Sequence, residues 1–264
     1  MNDMRLTILG GSAAGPNPGQ GCSGYLVESE ASKVVIDLGS GTLPELRRHV
    51  DFRIINAVVL SHLHLDHTLD VLALRYALAY NPVPPPRPLP LWLPPGGLEF
   101  LDRLAVALAD DSEQSRFFSV FNSPEYDPGA TLDIEDLQFR FQPTEHFVPC
   151  WAARVSNGNG ADLVYTADTG PSESLASFSR GASVMVAEGA DSTTSRRPST
   201  SRGHLTPAEA GALARDAEVK VLILSHLWAE HNPFAAVQEA EMAFGGRVIL
   251  ATPGFRLSWS QDAD

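Results

Sequence analysis

Residues 62–67 read His-Leu-His-Leu-Asp-His, so His62, His64, Asp66 and His67 put four potential metal ligands within six positions. The apolar run at residues 54–60 reads as a buried strand and a helical pattern follows, which places the string where a strand gives way to a helix. Three imidazoles on one turn would compete for a few backbone partners if they were merely satisfied polar groups. Neutral imidazoles and a carboxylate are, however, what a zinc-like ion binds. The chain must therefore fold so that a buried strand ends in a polar, metal-ligating centre.

A second feature extends this. Residues 59–67 read VLSHLHLDH and residues 223–231 read ILSHLWAEH, so two apolar strands run into the same Ser-His-Leu. β propensity explains the apolar half of the match but not the shared polar exit. Two halves built alike would bring His62 and His226 around one centre.

The remaining pattern is that of an α/β chain. Strands are predicted over residues 5–9, 25–28, 33–38, 54–60, 89–93, 137–141, 163–166, 184–187, 219–224 and 247–250, and helices over 69–80, 98–109, 207–216 and 234–244. The third helix opens with Thr206 as N-cap, Pro207 at its first position and Glu209 three residues after the cap. The region between Phe117 and Thr166 reads as an antiparallel meander, which favours layered sheets with helices outside over a doubly wound parallel sheet. Eight prolines between Asn81 and Pro95 forbid a helix there and predict a stiff connector. No linker divides the chain, so one domain is expected over residues 1–264.

Composition narrows the function. The 264 residues are 44% hydrophobic and carry 32 acidic against 19 basic side chains, a formal net charge of -13. That balance disfavours a surface that tracks nucleic-acid phosphates, so no extended nucleic-acid partner is expected. Two cysteines, Cys22 and Cys150, are too few for a disulfide framework, residues 1–9 lack the regions of a signal peptide, and no apolar run has the length of a membrane span. A cytoplasmic protein without membrane association is expected.

The string at residues 62–67 resembles the signature of the metallo-β-lactamase-fold hydrolases. The resemblance implies a four-layered αββα fold with two central mixed sheets and a binuclear metal site at their edge. It also implies a third histidine after the next strand pair, a bridging aspartate at a strand end and a last histidine after a late strand. His146, Asp168 and His226 stand in those places. The implied ligand sets are His62, His64, His146 and Asp168 for one divalent ion, and Asp66, His67, His226 and Asp168 for the other. Zinc is expected, with manganese or iron as alternatives, because nitrogen and oxygen ligands accept all three. Two such ions activate a shared water for hydrolysis.

Within that superfamily the flanks of the ligands resemble the ribonuclease Z branch. His146-Phe147-Val148-Pro149 with the later Arg154 and the turn Tyr165 to Gly170 carry this likeness, as does His204 in Gly203-His204-Leu205-Thr206. In that branch the histidine assists phosphodiester cleavage and a glutamate orients it, roles that fall on His204 and Glu188, with Asp66 orienting the water or taking its proton. Only 22 positions separate His146 from Asp168, which leaves no room for the long arm with which ribonuclease Z holds tRNA. The chain as a whole resembles small bacterial phosphodiesterases of cyclic nucleotides, and a homodimer is an expectation of the same likeness. The alternatives are a lactone or thioester hydrolase on the same metals, a tRNA 3′-processing endonuclease lacking the arm, and a metal-binding protein without catalysis.

Three further segments and two histidines carry weaker signals. Gly19 to Gly24 matches G-x-G-x-x-G but leads into a strand, so it holds no dinucleotide, and its glycines are expected to let a loop pass the metal centre with Ser23 near the pocket. The basic stretch 192–202, with Arg196, Arg197 and Arg202, either holds substrate phosphate or is a solvated loop. Phe117, Phe118, Phe121 and Tyr126 are expected in core or interface packing rather than as a base-stacking wall. His49 and His231 are expected to be structural or surface residues.

Overall fold

The computed structural model describes residues 3–192 and 202–260. Two seven-stranded sheets form its centre. The first is built from β1 (Met4–Gly10), β2 (Gly24–Glu28), β3 (Lys33–Leu38), β4 (Ala57–Val59), β5 (Leu89–Trp92), β6 (Phe121–Asn122) and β14 (Arg256–Trp259), in the order β14-β1-β2-β3-β4-β5-β6. The second contains β7 (Leu132–Ile134), β8 (Leu137–Pro143), β9 (Trp151–Ser156), β10 (Leu163–Tyr165), β11 (Val184–Glu188), β12 (Val221–Ser225) and β13 (Arg247–Leu250), in the order β13-β12-β11-β10-β9-β8-β7. Both are mixed: β14 to β3 pair antiparallel and β3 to β6 parallel, while β7 to β10 pair antiparallel and β10 to β13 parallel.

The layers follow from the two-residue alternation of the strands. Leu6, Ile8, Val34, Ile36, Ala57 and Val59 point from the first sheet into a core they share with Phe139, Val155, Leu163, Val186 and Ile223 of the second. The intervening residues Leu9, Val35, Val58 and Leu60, joined by Leu38 after the left-handed Asp37, pack outward against α1 (Thr42–His49), α2 (Leu65–Ala79) and α3 (Gly97–Leu108). Met185, Ala187, Leu222 and Leu224 do the same against α4 (Glu173–Ser179), α5 (Pro207–Asp216) and α6 (Pro233–Phe244). Strands buried on both faces read as continuous apolar runs, and here they produce helix, sheet, sheet, helix. The expected four-layered αββα arrangement is the observed one.

Several boundaries differ from expectation for local reasons. α2 begins at Leu65 rather than at residue 69, because His64 already takes the extended N-cap conformation and Asp66 occupies the first turn, where a carboxylate favours the helix dipole. β4 covers Ala57–Val59 and not residues 54–60, since Ile54 is exposed and the Asn56 side chain accepts from the Lys33 N–H. Val219 belongs to the turn after α5, so β12 starts at Val221. Two helices went unseen: α1 is short, with Pro44 in its first turn and a left-handed glycine, Gly41, before it, and α4 has seven residues.

The four aromatic residues of the 117–126 segment pack inward, with Phe117, Phe121 and Tyr126 buried and the Tyr126 ring stacked on Phe141 at 4.0 Å. Cys22 and Cys150 are free and buried. Among the described residues no helix is long and apolar enough to cross a membrane.

Candidate metal centre and its surroundings

Parallel pairing gathers the carboxyl ends of β3 and β4 on one edge of the first sheet and those of β10, β11 and β12 on one edge of the second. Polar groups that follow those ends meet there, as they do beyond the strand ends of open α/β sheets. Asp37 lies at the end of β3, Ser61 and His62 after β4, Asp168 after β10, Glu188 at the end of β11 and His226 after β12. Asp37, Ala167 and His226 take left-handed backbone, with φ of 56°, 52° and 53°. Each such residue costs about 1–2 kcal/mol, and together they turn the chain sharply enough to aim side chains at the shared edge.

Two four-residue groups result, each with its ligand atoms within 4.8 Å of one another: His62, His64, His146 and Asp168, and Asp66, His67, Asp168 and His226. The hydrogen bonds around these groups leave lone pairs suited to a cation. The Ser61 hydroxyl donates to Asp37 Oδ2 at 2.7 Å, so its oxygen accepts from His62 Nδ1 at 3.0 Å and leaves a lone pair on His62 Nε2. His146 Nδ1 donates to the Gly203 carbonyl at 2.8 Å, leaving a lone pair on its Nε2. Both lone pairs face His64 Nδ1, at 3.2 and 3.1 Å, and that atom carries at most one proton for the two of them. Burial holds all three imidazoles below the ordinary histidine value, which keeps them neutral. In the second group His67 Nε2 and Asp168 Oδ1 are buried without a hydrogen-bond partner, 3.3 Å apart. Burial opposes charge on Asp168, yet His226 and His67 outweigh it and hold its carboxyl well below the usual range. The neutral nitrogens of the first group and the ionised Asp168 carboxylate are donors for a divalent cation; in the second group burial opposes charge on His67, yet the Asp168 and Asp37 carboxylates push its imidazole well above the ordinary value, a proton that a bound cation would displace.

Behind these groups lies a residue that the sequence reading missed. Asp37 is fully buried; its Oδ2 accepts from Ser61 Oγ, His67 Nδ1 and Tyr165 OH at 2.7, 2.7 and 2.8 Å, and its Oδ1 from the Ser61 N–H at 2.7 Å. It thus orients one histidine of each group, His67 directly and His62 through Ser61. A carboxylate inside the apolar run Val34 to Leu38 was the available signal, since an unpaired charge does not persist in a core. Asp66 is steadied separately, accepting from the Ala14 N–H at 2.9 Å and facing His226 Nε2 at 3.1 Å.

His204 and Glu188 stand beside the two groups. Glu188 Oε1 accepts from His204 Nδ1 at 2.9 Å and from the Thr169 N–H at 2.8 Å, and Oε2 from the Ala190 N–H at 3.1 Å. Burial lowers the His204 imidazole, but the hydrogen bond and charge of Glu188 prevail and push it up to about 9. His204 Nδ1 is 4.0 Å from Asp168 Oδ2, and its ring lies nearly parallel to that of His226. Asp66, Asp168, His204 and His226 all border a cavity of about 410 Å³, within the size range of small-molecule sites.

One expectation changes here. Ser23 is fully buried and does not line that cavity; Ala13 and Ala14 approach it instead, because residues 11–17 are bound to the loop after His226 through Leu227 and Asn17. Arg196 and Arg197 lie outside the described residues. Arg202 lines the cavity with its guanidinium engaged by Asp191 and Glu209. His49 bonds Glu45 at 2.8 Å, and His231 is exposed, both apart from the centre.

The sequence profile described as the beta-lactamase superfamily domain matches residues 32–227. An uncharacterized protein of Mycobacterium leprae is 31% identical over 255 residues, covering 95% of this chain and 87% of the relative. A ribonuclease Z of Mycobacterium bovis is 28% identical over 272 residues, with 93% and 94% of the two chains covered. The crystal structure of YhfI, a metallo-beta-lactamase fold protein of Bacillus subtilis, superposes with a TM-score of 0.86 at 27% identity, over 98% of this chain and 100% of that one. A matching profile over most of the chain, a near full-length relative above 30% identity and the four-layered architecture agree: the chain belongs to the beta-lactamase superfamily.

Proposed function

We propose that the chain is a metal-dependent phosphodiesterase that hydrolyses a small phosphodiester such as a cyclic nucleotide. One divalent ion would be held by His62, His64, His146 and Asp168 and a second by Asp66, His67, His226 and Asp168, with zinc the first candidate and manganese or iron the alternatives. Ions in such a site, when bound, acidify water and polarise a phosphoryl oxygen. Asp66, fixed by the Ala14 N–H, orients the attacking water or takes its proton. His204 donates its Nδ1–H to Glu188, which leaves the Nε2–H of the charged ring to be given to the leaving oxygen or to face the phosphoryl oxygens.

The observation that carries this reading is the His204–Glu188 pair, a cationic imidazole bordering the same cavity as Asp168. A phosphodiester brings negative charge and an alkoxide leaving group, and both are served by a positioned cation that can give up a proton. The net charge of -13 weighs against a large RNA. Near full-length likeness to a ribonuclease Z nonetheless supports a second reading, cleavage of a precursor tRNA at its 3′ end.

The test is turnover of 3′,5′-cyclic AMP by purified protein loaded with metal, with Asp66→Ala as control. Turnover that disappears in the variant is the expected result. Lactone hydrolysis without any phosphodiester turnover would overturn the proposal, and cleavage of precursor tRNA in place of the cyclic nucleotide would move it to the second reading.

A further inference from the structure

Phe147 is the cavity residue with no evident task. It follows His146, is 60% exposed, and borders the same cavity as Asp168 and His204. An exposed phenyl ring gains nothing from the core, yet this one is firmly seated. Its ring lies against Gly203 so closely that a Cβ at that position would stand 2.7 Å from it. It also sits tilted to His146 at 5.3 Å and edge-on to His204 at 5.8 Å between ring centroids. The glycine and two imidazoles hold the ring in place while leaving more than half of it open to solvent beside the reacting groups. Trp228 borders the same cavity, 36% exposed.

We infer that Phe147 is a specificity residue whose open face receives a planar aromatic group of the substrate, a nucleobase. The inference rests on the phosphodiesterase reading and narrows it to phosphodiesters that carry a base. A nucleobase offers a π-face that stacks on an aromatic side chain whatever its hydrogen-bonding edge, so tight binding with little base preference is the expected outcome. The cavity has the volume for such a group in addition to the phosphate, which would sit beside His204.

A matched pair of probes tests this: AMP and ribose 5-phosphate, which share sugar and phosphate and differ by the base. Their binding to metal-loaded protein is measured by calorimetry, alongside cyclic AMP turnover. Stacking of one base predicts that AMP binds roughly 5- to 150-fold more tightly than ribose 5-phosphate. Phe147→Ala should bring the two within about twofold by weakening AMP alone, Phe147→Leu should do the same despite its apolar bulk, and Phe147→Tyr should keep the preference. Equal binding of the two probes by the unaltered protein, or a preference that survives Phe147→Ala, overturns the inference while leaving the phosphodiesterase reading standing. Binding of neither probe, with no turnover of a phosphodiester, overturns that reading and the inference with it.

Discussion

Replacing Asp37 by Asn separates an orienting role from a merely structural one. The carboxylate accepts four hydrogen bonds, three on Oδ2 and one on Oδ1. An amide has one oxygen, and its best placement keeps that oxygen before Ser61 Oγ, His67 Nδ1 and Tyr165 OH and turns the NH2 against the Ser61 N–H. The Ser61 N–H then loses its acceptor and faces the new NH2, itself without one, at about 1–3 kcal/mol for each buried donor left unpaired, and the three remaining bonds lose the strength that charge gave them. The sum is on the order of 3 kcal/mol, which a protein of ordinary stability survives, and the melting temperature of the metal-stripped protein should fall by roughly 6–12 °C. Because the bonds that orient His67, and His62 through Ser61, lose the strength that the charge gave them, zinc affinity measured against a chromophoric chelator should drop roughly 10–100-fold. A melting temperature that falls while zinc affinity stays within about twofold would refute the orienting role. No change in either would refute the hydrogen-bond network itself.

Three other outcomes are expected. In metal-stripped protein the His204 ring should titrate near 9 by NMR, and in Glu188→Gln it should move down toward or below the ordinary value of 6.5; its contribution to stability is complete below that ordinary value and is lost as pH rises through about 9. A ring that titrates at the ordinary value in both proteins would refute the pairing with Glu188. Gly39→Ala drives a Cβ into the Asp66 carbonyl oxygen, so the start of α2 must shift, with a stability loss at or above the roughly 1–3 kcal/mol of ordinary overpacking and reduced metal content by elemental analysis. Thr206→Ala removes the side-chain acceptor for the Glu209 N–H and should cost about 1 kcal/mol in urea unfolding, with metal content unchanged.

What the chain alone determined is local or periodic. The string at residues 62–67 points to a cluster able to hold metal because four potential ligands in six positions have no comparable use in a core, and the repeated Ser-His-Leu points to His226 as its counterpart. The strand–helix order and the meander between Phe117 and Thr166 were enough for sheets inside and helices outside, the four-layered form being what the resemblance implied, and the α5 cap at Thr206 was legible because its hydrogen bonds join residues three apart. Tertiary structure decided what depends on contacts between distant positions. Asp37 reads as one odd residue in an apolar strand until the fold brings it against Ser61, His67 and Tyr165, at separations of 24, 30 and 128 residues. The loop that steadies Asp66 is the one through Ala14 and not Ser23, because burial selects by position in space and glycine spacing does not encode it. Likewise the aromatic cluster at 117–126 was absorbed by the core, while Phe147, isolated in sequence, stands open at the cavity. Exposure is set by what packs against a ring from the rest of the chain, and no pattern along the backbone records that.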